Sequence, residues 1–355
     1  MSLRHIRGTK HELPRPLRVD HLQVKVVAAV FVAALLMQAA GASADDTTAA
    51  VAAGGIIFTK NEQIRMLEEV LEISRKIVRV RFRFLNESDK DIHTMVAFPL
   101  PPYGPAPYSS WLAAKDIAST FRVWVNGRSI KPLTSRRAVV GERDVTNKLR
   151  EMGLSDNRIF DDCHGPDWAS KCEFTTDQKQ ALENFDGEAG EFPPWKVAVS
   201  LYWEQTFPAG NEIVVEHEYV PVLGGAYFPL DREVLGHETY LSFMSDRSGA
   251  SACLDEPTRR AIENRIKRYV AKATEEGYLN VNHVEYILAT GRNWKGPIGA
   301  FKLRIKKETP DQIASLCFPG KPEKVSPTVY EFVQNDYVPQ DRLVVYFYTV
   351  APEVQ

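Results

Sequence analysis

The sequence predicts a mainly β protein of the α+β kind, with an antiparallel β-sandwich core that carries helical insertions. Three features predict it. Apolar and charged residues alternate with period two in several runs, turn-forming stretches separate those runs, and one long polar segment shows helical periodicity instead.

In "VRVRFRFLNESDKDIHTMVAFPLPP", Val78, Val80, Phe82 and Phe84 alternate with Arg79, Arg81 and Arg83, the pattern of a half-buried strand. "NESDKD" then reads as a polar turn, and "IHTMVAFPLPP" as a second strand stopped by its prolines. Phe121, Val123 and Val125 share a face ahead of Asn126-Gly127, a dipeptide that suits the positive φ angles of a tight hairpin. Trp195, Val197, Val199, Leu201 and Trp203 share the next face. "PAGN" turns the chain, and Ile213, Val215, His217 and Tyr219 line the returning strand. "IGAFKLRIKK", "PTVYEFV" and "RLVVYFYTV" supply the C-terminal strands.

Two segments break the alternation. Residues 142–194 are polar and irregular, with helical stretches near "RDVTNKLREMG" and "TTDQKQALENF". In residues 255–291, Asp255 is placed to cap a helix whose face carries Ile262, Ile266, Tyr269, Val270 and Ala273, ending near Gly277. "HVEYILATG" reads as a second short helix closing on Gly291. Both segments are expected as insertions or packing helices on a single domain, residues 45–355.

Residues 1–44 read as an export signal. Six Lys or Arg residues face two acidic ones before the uncharged run "VVAAVFVAALLMQAAGASA", which closes on Ala42-Ser43-Ala44. That ending suits cleavage by a peptidase better than retention as an anchor. Without an adjacent arginine pair or a cysteine at the cleavage point, the general secretory route is expected, leading to the periplasm or the exterior. After cleavage, 38 basic and 44 acidic residues remain, a formal charge of −6. This balance lacks the positive footprint of a nucleic-acid binder, and no stable membrane insertion is expected of the mature chain.

The four cysteines, Cys163, Cys172, Cys253 and Cys317, are read as disulfides because an exported chain meets an oxidising compartment. Spacing favours Cys163 with Cys172, which leaves Cys253 with Cys317. The stretch "DDCHGPDWASKC" also places His164 between two sulfurs, but its ligand spacing is wider than structural zinc sites use. A staple across a turn-rich loop is the expectation, with no metal and no cofactor.

No catalytic residues are predicted, since His-Glu-x-x-His, Gly-x-Ser-x-Gly and phosphate-loop patterns do not occur. In Glu216-His217-Glu218 the histidine falls in line with apolar neighbours, as a core or edge residue would. The basic residues of 259–272, Arg265 and Arg268 among them, spread around the polar side of their helix and read as a solvated face. The recognition side chains proposed from sequence are Tyr103, Tyr108, Trp111 and Trp168, all in proline-rich or turn-rich stretches.

"AAGGIIFTKNEQIRMLEEVLEIS", "VRVRFRFLNESDKDIHTMVAFPLP", "WEQTFPAGNEIVVEHEYVPVLGG", "WKGPIGAFKLRIKK" and "SLCFPG", in that order, resemble the bacterial exported family of domains of unknown function DUF4424. The resemblance covers nearly the whole mature chain and brings no activity or site residues with it. Residues 70–135 are also weakly similar to the vault and inter-alpha-trypsin (VIT) sandwich module. The resulting expectation is an envelope protein that binds a protein or glycan partner without catalysis. An envelope hydrolase with a dispersed active site is the alternative.

Overall fold

The computed structural model describes residues 47–352, except 53–54, 59, 101, 105–114, 116, 142, 166–167, 184–192, 231–251, 273–276 and 341. The export signal expected at residues 1–44 lies outside the described residues.

The first strands are β1 (Thr47–Ala52), β2 (Gly55–Phe58), β3 (Ile64–Ile73), β4 (Val78–Asn86) and β5 (Ile92–Pro99). A hairpin of β6 (Arg122–Val125) and β7 (Arg128–Ile130) turns at Asn126 and Gly127, both with positive φ, and β8 (Leu133–Val140) and β9 (Arg143–Asp144) follow. Three short helices, α1 (Thr146–Glu151), α2 (Trp168–Lys171) and α3 (Thr176–Glu183), occupy the first expected insertion. Next come β10 (Lys196–Phe207), β11 (Glu212–Tyr219), β12 (Gly224–Leu230) and α4 (Glu256–Lys272). The chain finishes with β13 (Gly277–Ile287), β14 (Ile298–Lys306), β15 (Ile313–Leu316), β16 (Glu323–Ser326), β17 (Val329–Tyr337) and β18 (Arg342–Pro352).

Among the described residues the strands form three sheets. Their orders are β2-β1-β5-β10-β8-β9, β16-β17-β14-β3-β4-β11-β6-β7 and β12-β13-β18-β15. Every named strand pair is antiparallel except β14 with β3. The six- and eight-stranded sheets pack face to face. Phe84 of β4 meets Phe207 of β10 edge-on at 5.9 Å between ring centroids, and Phe98 of β5 meets His217 of β11 at 4.9 Å. Both apolar faces read from β10 and β11 are buried throughout. Trp294 fills one end of this core, 4.4 Å from Phe84.

The turns "NESDKD" and "PAGN" are arches rather than hairpins. The first carries the chain from β4 in the larger sheet to β5 in the smaller, and the second carries it back from β10 to β11. Asn86 lies between the arches, fully buried. Its Nδ2 donates to the carbonyls of Lys90 and Phe207, both at 2.8 Å, and its Oδ1 accepts from the backbone N–H and the hydroxyl of Ser88. Its backbone N–H donates to Asn211 O, and its carbonyl accepts from the Gly210 N–H.

The outer face of the eight-stranded sheet explains the arginines of β4. Register places Glu331, Arg304, Glu72, Arg79, Glu218 and Arg122 side by side on six adjacent strands, with charge alternating at each step. Arg79 reaches Glu218 at 3.0 Å and Glu72 at 3.5 Å, and Arg304 reaches Glu331 at 2.6 Å. Each exposed pair contributes only about 0.2–1 kcal/mol. Their larger effect is on register, because a one-residue slip would turn the arginines of β4 into the aromatic core.

The four-stranded sheet is buried on both faces, which accounts for the continuous apolar run in "RLVVYFYTV". Val345 and Phe347 join the main core, while Tyr346 and Tyr348 pack with Leu279, Val281 and the helix residues Ile262 and Ile266. Helix α4 begins as predicted, with Asp255 Oδ1 accepting from the Thr258 N–H at 2.8 Å.

The second helix expected at "HVEYILATG" does not form. Those residues continue β13 to Ile287, followed by a 3-10 turn over Ala289–Asn293. β13 pairs with β18 along its whole length, from Gly277 with Pro352 to Ile287 with Arg342. That ladder, formed by a segment rich in β-branched and aromatic residues, overrides the local helical spacing.

Because Asn86 serves both arches, its substitutions should rank by hydrogen-bond chemistry. Asn86→Ala removes the donor to the buried Phe207 carbonyl, leaves Lys90 O to the Ser88 hydroxyl, and should cost about 1–3 kcal/mol in denaturant unfolding. Asn86→Asp is nearly isosteric but sets acceptor against acceptor, so it should cost more at neutral pH. Equal losses would refute that ranking.

Candidate functional site

The residues proposed from sequence divide between core and undescribed loop. Tyr103 is buried at 3 % exposure, and its hydroxyl donates to Phe160 O at 2.7 Å, so its ring offers no surface to a partner in this structure. Burial and the nearby Asp161 carboxylate both hold the phenol well above its ordinary pKa. Tyr108, Trp111 and the side chain of Trp168 lie outside the described residues.

Cys163 and Cys172 are joined, as are Cys253 and Cys317. The opening between Cys163 and Cys172 is thus a stapled loop, and its sulfurs are committed to each other. A π-helical turn over Arg158–Asp162 leads into the staple, and two of its carbonyls, Ile159 O and Phe160 O, accept from buried side chains. Ile159 O accepts from Trp195 Nε1 at 3.0 Å and from His164 Nε2 at 3.1 Å, so the imidazole carries its proton on Nε2. Burial pushes the His164 pKa down to about 4, against smaller upward pulls from backbone hydrogen bonds to Ile159 and Gly104 and from Asp161. His164 is a neutral structural donor. His217 is likewise core, ringed by Phe82, Phe98, Phe121 and Tyr219.

A concave candidate lies elsewhere. Between α4, β15 and the ends of β14 and β17 there is a cleft of about 590 Å³. Ile305, Leu316 and Phe332 supply its apolar floor, and Arg265, Arg268 and Lys307 its positive charge. Lys307 occupies an unusual position. Phe301, Leu303 and Ile305 of β14 point inward, and the alternation continues to Lys307, which is only 7 % exposed. Its ammonium donates to Pro310 O at 2.9 Å and sits 5.3 Å from the centroid of the Tyr330 ring. Burial lowers its pKa, as do Lys324 and Arg265, with Asp311 opposing them.

The cleft walls are fastened at two places. Cys253, three residues before α4, is bonded to Cys317, the residue after β15. Further along the helix, Arg265 pairs with Asp311. Gln312, itself buried, accepts from the Glu308 N–H and donates to Thr349 Oγ1, fixing the loop that carries Asp311. Behind the Arg265–Asp311 pair lies a smaller pocket of about 160 Å³ that shares both residues. The sequence reading treated the cations of α4 as one solvated face. The structure keeps Arg260 on that face, bound to Glu256, but sets Arg265 and Arg268 on the cleft. Lys307 was legible as a lysine on the apolar side of an alternating strand.

Fold and site together define a disulfide-braced β-sandwich protein with a basic, apolar-floored cleft under one helix. The chain belongs to the family DUF4424, a domain of unknown function, whose model matches residues 44–346. The second likeness, of residues 70–135 to the vault module, gained no support. No curated protein matches the chain. A solved structure similar to it is a candidate nutrient-binding protein from Legionella pneumophila, at 13% identity and a TM-score of 0.40, covering 87% of this chain and 71% of that one. Among the described residues, no helix is long and apolar enough to cross a membrane. Paired cysteines fit an oxidising, extracytoplasmic location.

Two expectations follow for the stapled loop. Replacing Cys163 and Cys172 together by alanine should lower stability by about 2–3 kcal/mol, read by denaturant unfolding. For His164 the unfolded imidazole takes its proton near pH 6.5 and the folded one near 4. Between those values the unfolded state binds more protons, so stability drops as pH falls across that window, by up to about 3 kcal/mol. The stability difference between wild type and His164→Gln should therefore change by that amount between neutral pH and pH 4. A constant difference would mean the ring is not held neutral.

Proposed function

We propose that the protein is an exported, non-enzymatic binding protein of the bacterial envelope, with the cleft under α4 as its ligand site. The cleft carries this reading. Its volume of about 590 Å³ falls within the ~300–1,000 Å³ that small-molecule sites occupy, and a few convergent polar groups stand over an apolar floor. A covalent bond between the walls suits a preformed site, since ordering already present in the free protein is not lost again on binding.

Export by the general route is supported by the basic and apolar order of residues 1–44 and by two cysteine pairs that suit an oxidising compartment. A protein or glycan partner at the proline-aromatic loop, through Tyr103, Tyr108 and Trp111, or at Trp168 in the stretch between Cys163 and Cys172, belongs to the same reading as a second contact surface.

The test is to express the full chain in a Gram-negative host, purify it from the envelope fraction, and compare native with denaturing mass spectra. The expected species begins at Asp45, holds both disulfides and carries a non-covalent adduct in the native spectrum alone. A chain that keeps residues 1–44 would refute cleavage. Ester, phosphate or glycoside turnover removed by a single substitution would refute the non-enzymatic assignment.

A further inference from the structure

Resting on that reading of a binding protein, we infer that the cleft takes a small amphipathic anion, a carboxylate or phosphate headgroup on an apolar body. The headgroup site is formed by Arg265, Arg268 and Lys307, and the apolar body lies on the partly exposed Ile313, Ala314 and Leu316.

Charge argues for the sign of the ligand. The chain is acidic overall, yet the cleft sets three cations against Asp311, the acidic residue in its lining, and Asp311 is already engaged by Arg265. Lys324 adds a further positive field at Lys307. A buried ammonium facing other cations is costly, and a bound anion turns that repulsion into attraction.

The position of Lys307 argues that the charge is part of the cleft rather than a solvated rim. Where β14 would continue with an apolar side chain, it presents an amine beside the apolar floor. The Pro310 carbonyl takes one of its three N–H donors, so the ammonium has further donor capacity. Two guanidinium groups nearby supply the forked donors that match carboxylate and phosphate oxygens.

The apolar floor argues for the body of the ligand. Inorganic anions alone would leave the partly exposed apolar lining, Ile313, Ala314 and Leu316, facing water, whereas a hydrocarbon or aromatic body covers it, at about 25 cal/mol per Å² of apolar surface removed from water.

The experiment is calorimetric titration of the mature, oxidised chain with octanoate, octyl phosphate, inorganic phosphate, octyl glucoside and octyltrimethylammonium. Octanoate or octyl phosphate should bind at least tenfold more tightly than the glucoside, the cation or inorganic phosphate. The preferred octyl anion identifies the headgroup. Lys307→Gln and Arg268→Gln should each weaken that binding about tenfold, and Ala261→Trp, which fills the cleft, should abolish it. Thermal unfolding of each variant checks the fold, and Arg268, exposed on α4, keeps the test decisive if Lys307→Gln unfolds.

Equal binding of glucoside or cation, blocked by Ala261→Trp, would overturn the anionic ligand while leaving a binding protein with another ligand. Tight binding of inorganic phosphate alone would overturn the amphipathic body. No anion binding at millimolar concentration would overturn the inference outright, and the native-mass adduct would then stand or fall separately.

Discussion

The sandwich depends on how the chain passes between its two large sheets, and Asn86 governs that passage. Each arch exposes carbonyls and N–H groups at the end of a dry core, where an unsatisfied polar group costs about 1–3 kcal/mol. Asn86 answers both arches at once, donating through its side chain to Lys90 and Phe207 and exchanging backbone bonds with Gly210 and Asn211. With the arches locked together, β4 with β11 and β5 with β10 are held at opposite walls of one core. The aromatic contacts of Phe84, Phe207 and Trp294 lie directly beneath the lock. Other residues that suit arches could replace the remaining turn positions, but few side chains offer two donors and an acceptor within so small a volume.

The third sheet follows from the same logic of burial. Its two faces meet unlike neighbours, the main core on one side and α4 on the other, so β18 reads as an unbroken apolar run where β4 reads as an alternation. Attaching a helix there leaves a seam where the edge of the eight-stranded sheet runs past β15, and the cleft occupies that seam. Arg265 pairs with Asp311 across the seam, and the Cys253–Cys317 bond ties the same walls together. The two disulfides thus differ in role, one stapling a short loop whose carbonyls serve buried donors, the other joining the walls of a cleft.

Much of this was legible in the sequence because period-two patterning responds to burial on one face. The strands β4, β10 and β11, the hairpin at Asn126-Gly127, the Asp255 cap and the buried positions Ile262 and Ile266 all follow from neighbours within a few residues. The cysteine pairing followed from spacing and compartment. "HVEYILATG" failed for a matching reason: its helical spacing is a local property, whereas the ladder to β18 joins it to residues more than fifty positions away. The bond from the Tyr103 hydroxyl to Phe160 O is equally non-local, since it joins positions 57 residues apart.

By itself, then, the sequence determined the class of protein, its family, the compartment its cysteines suit and the inward face of most strands. Class, compartment and strand faces depend on composition and on periodicities shorter than a strand, and the family on the resemblance of whole segments in their order along the chain. Tertiary structure alone decided that two turns are arches between sheets, that six charges from six strands form one row, and that Lys307 shares a cleft with Arg265 and Arg268. Each of these unites residues far apart in the chain. Their proximity is set by sheet order and packing, which no local pattern encodes.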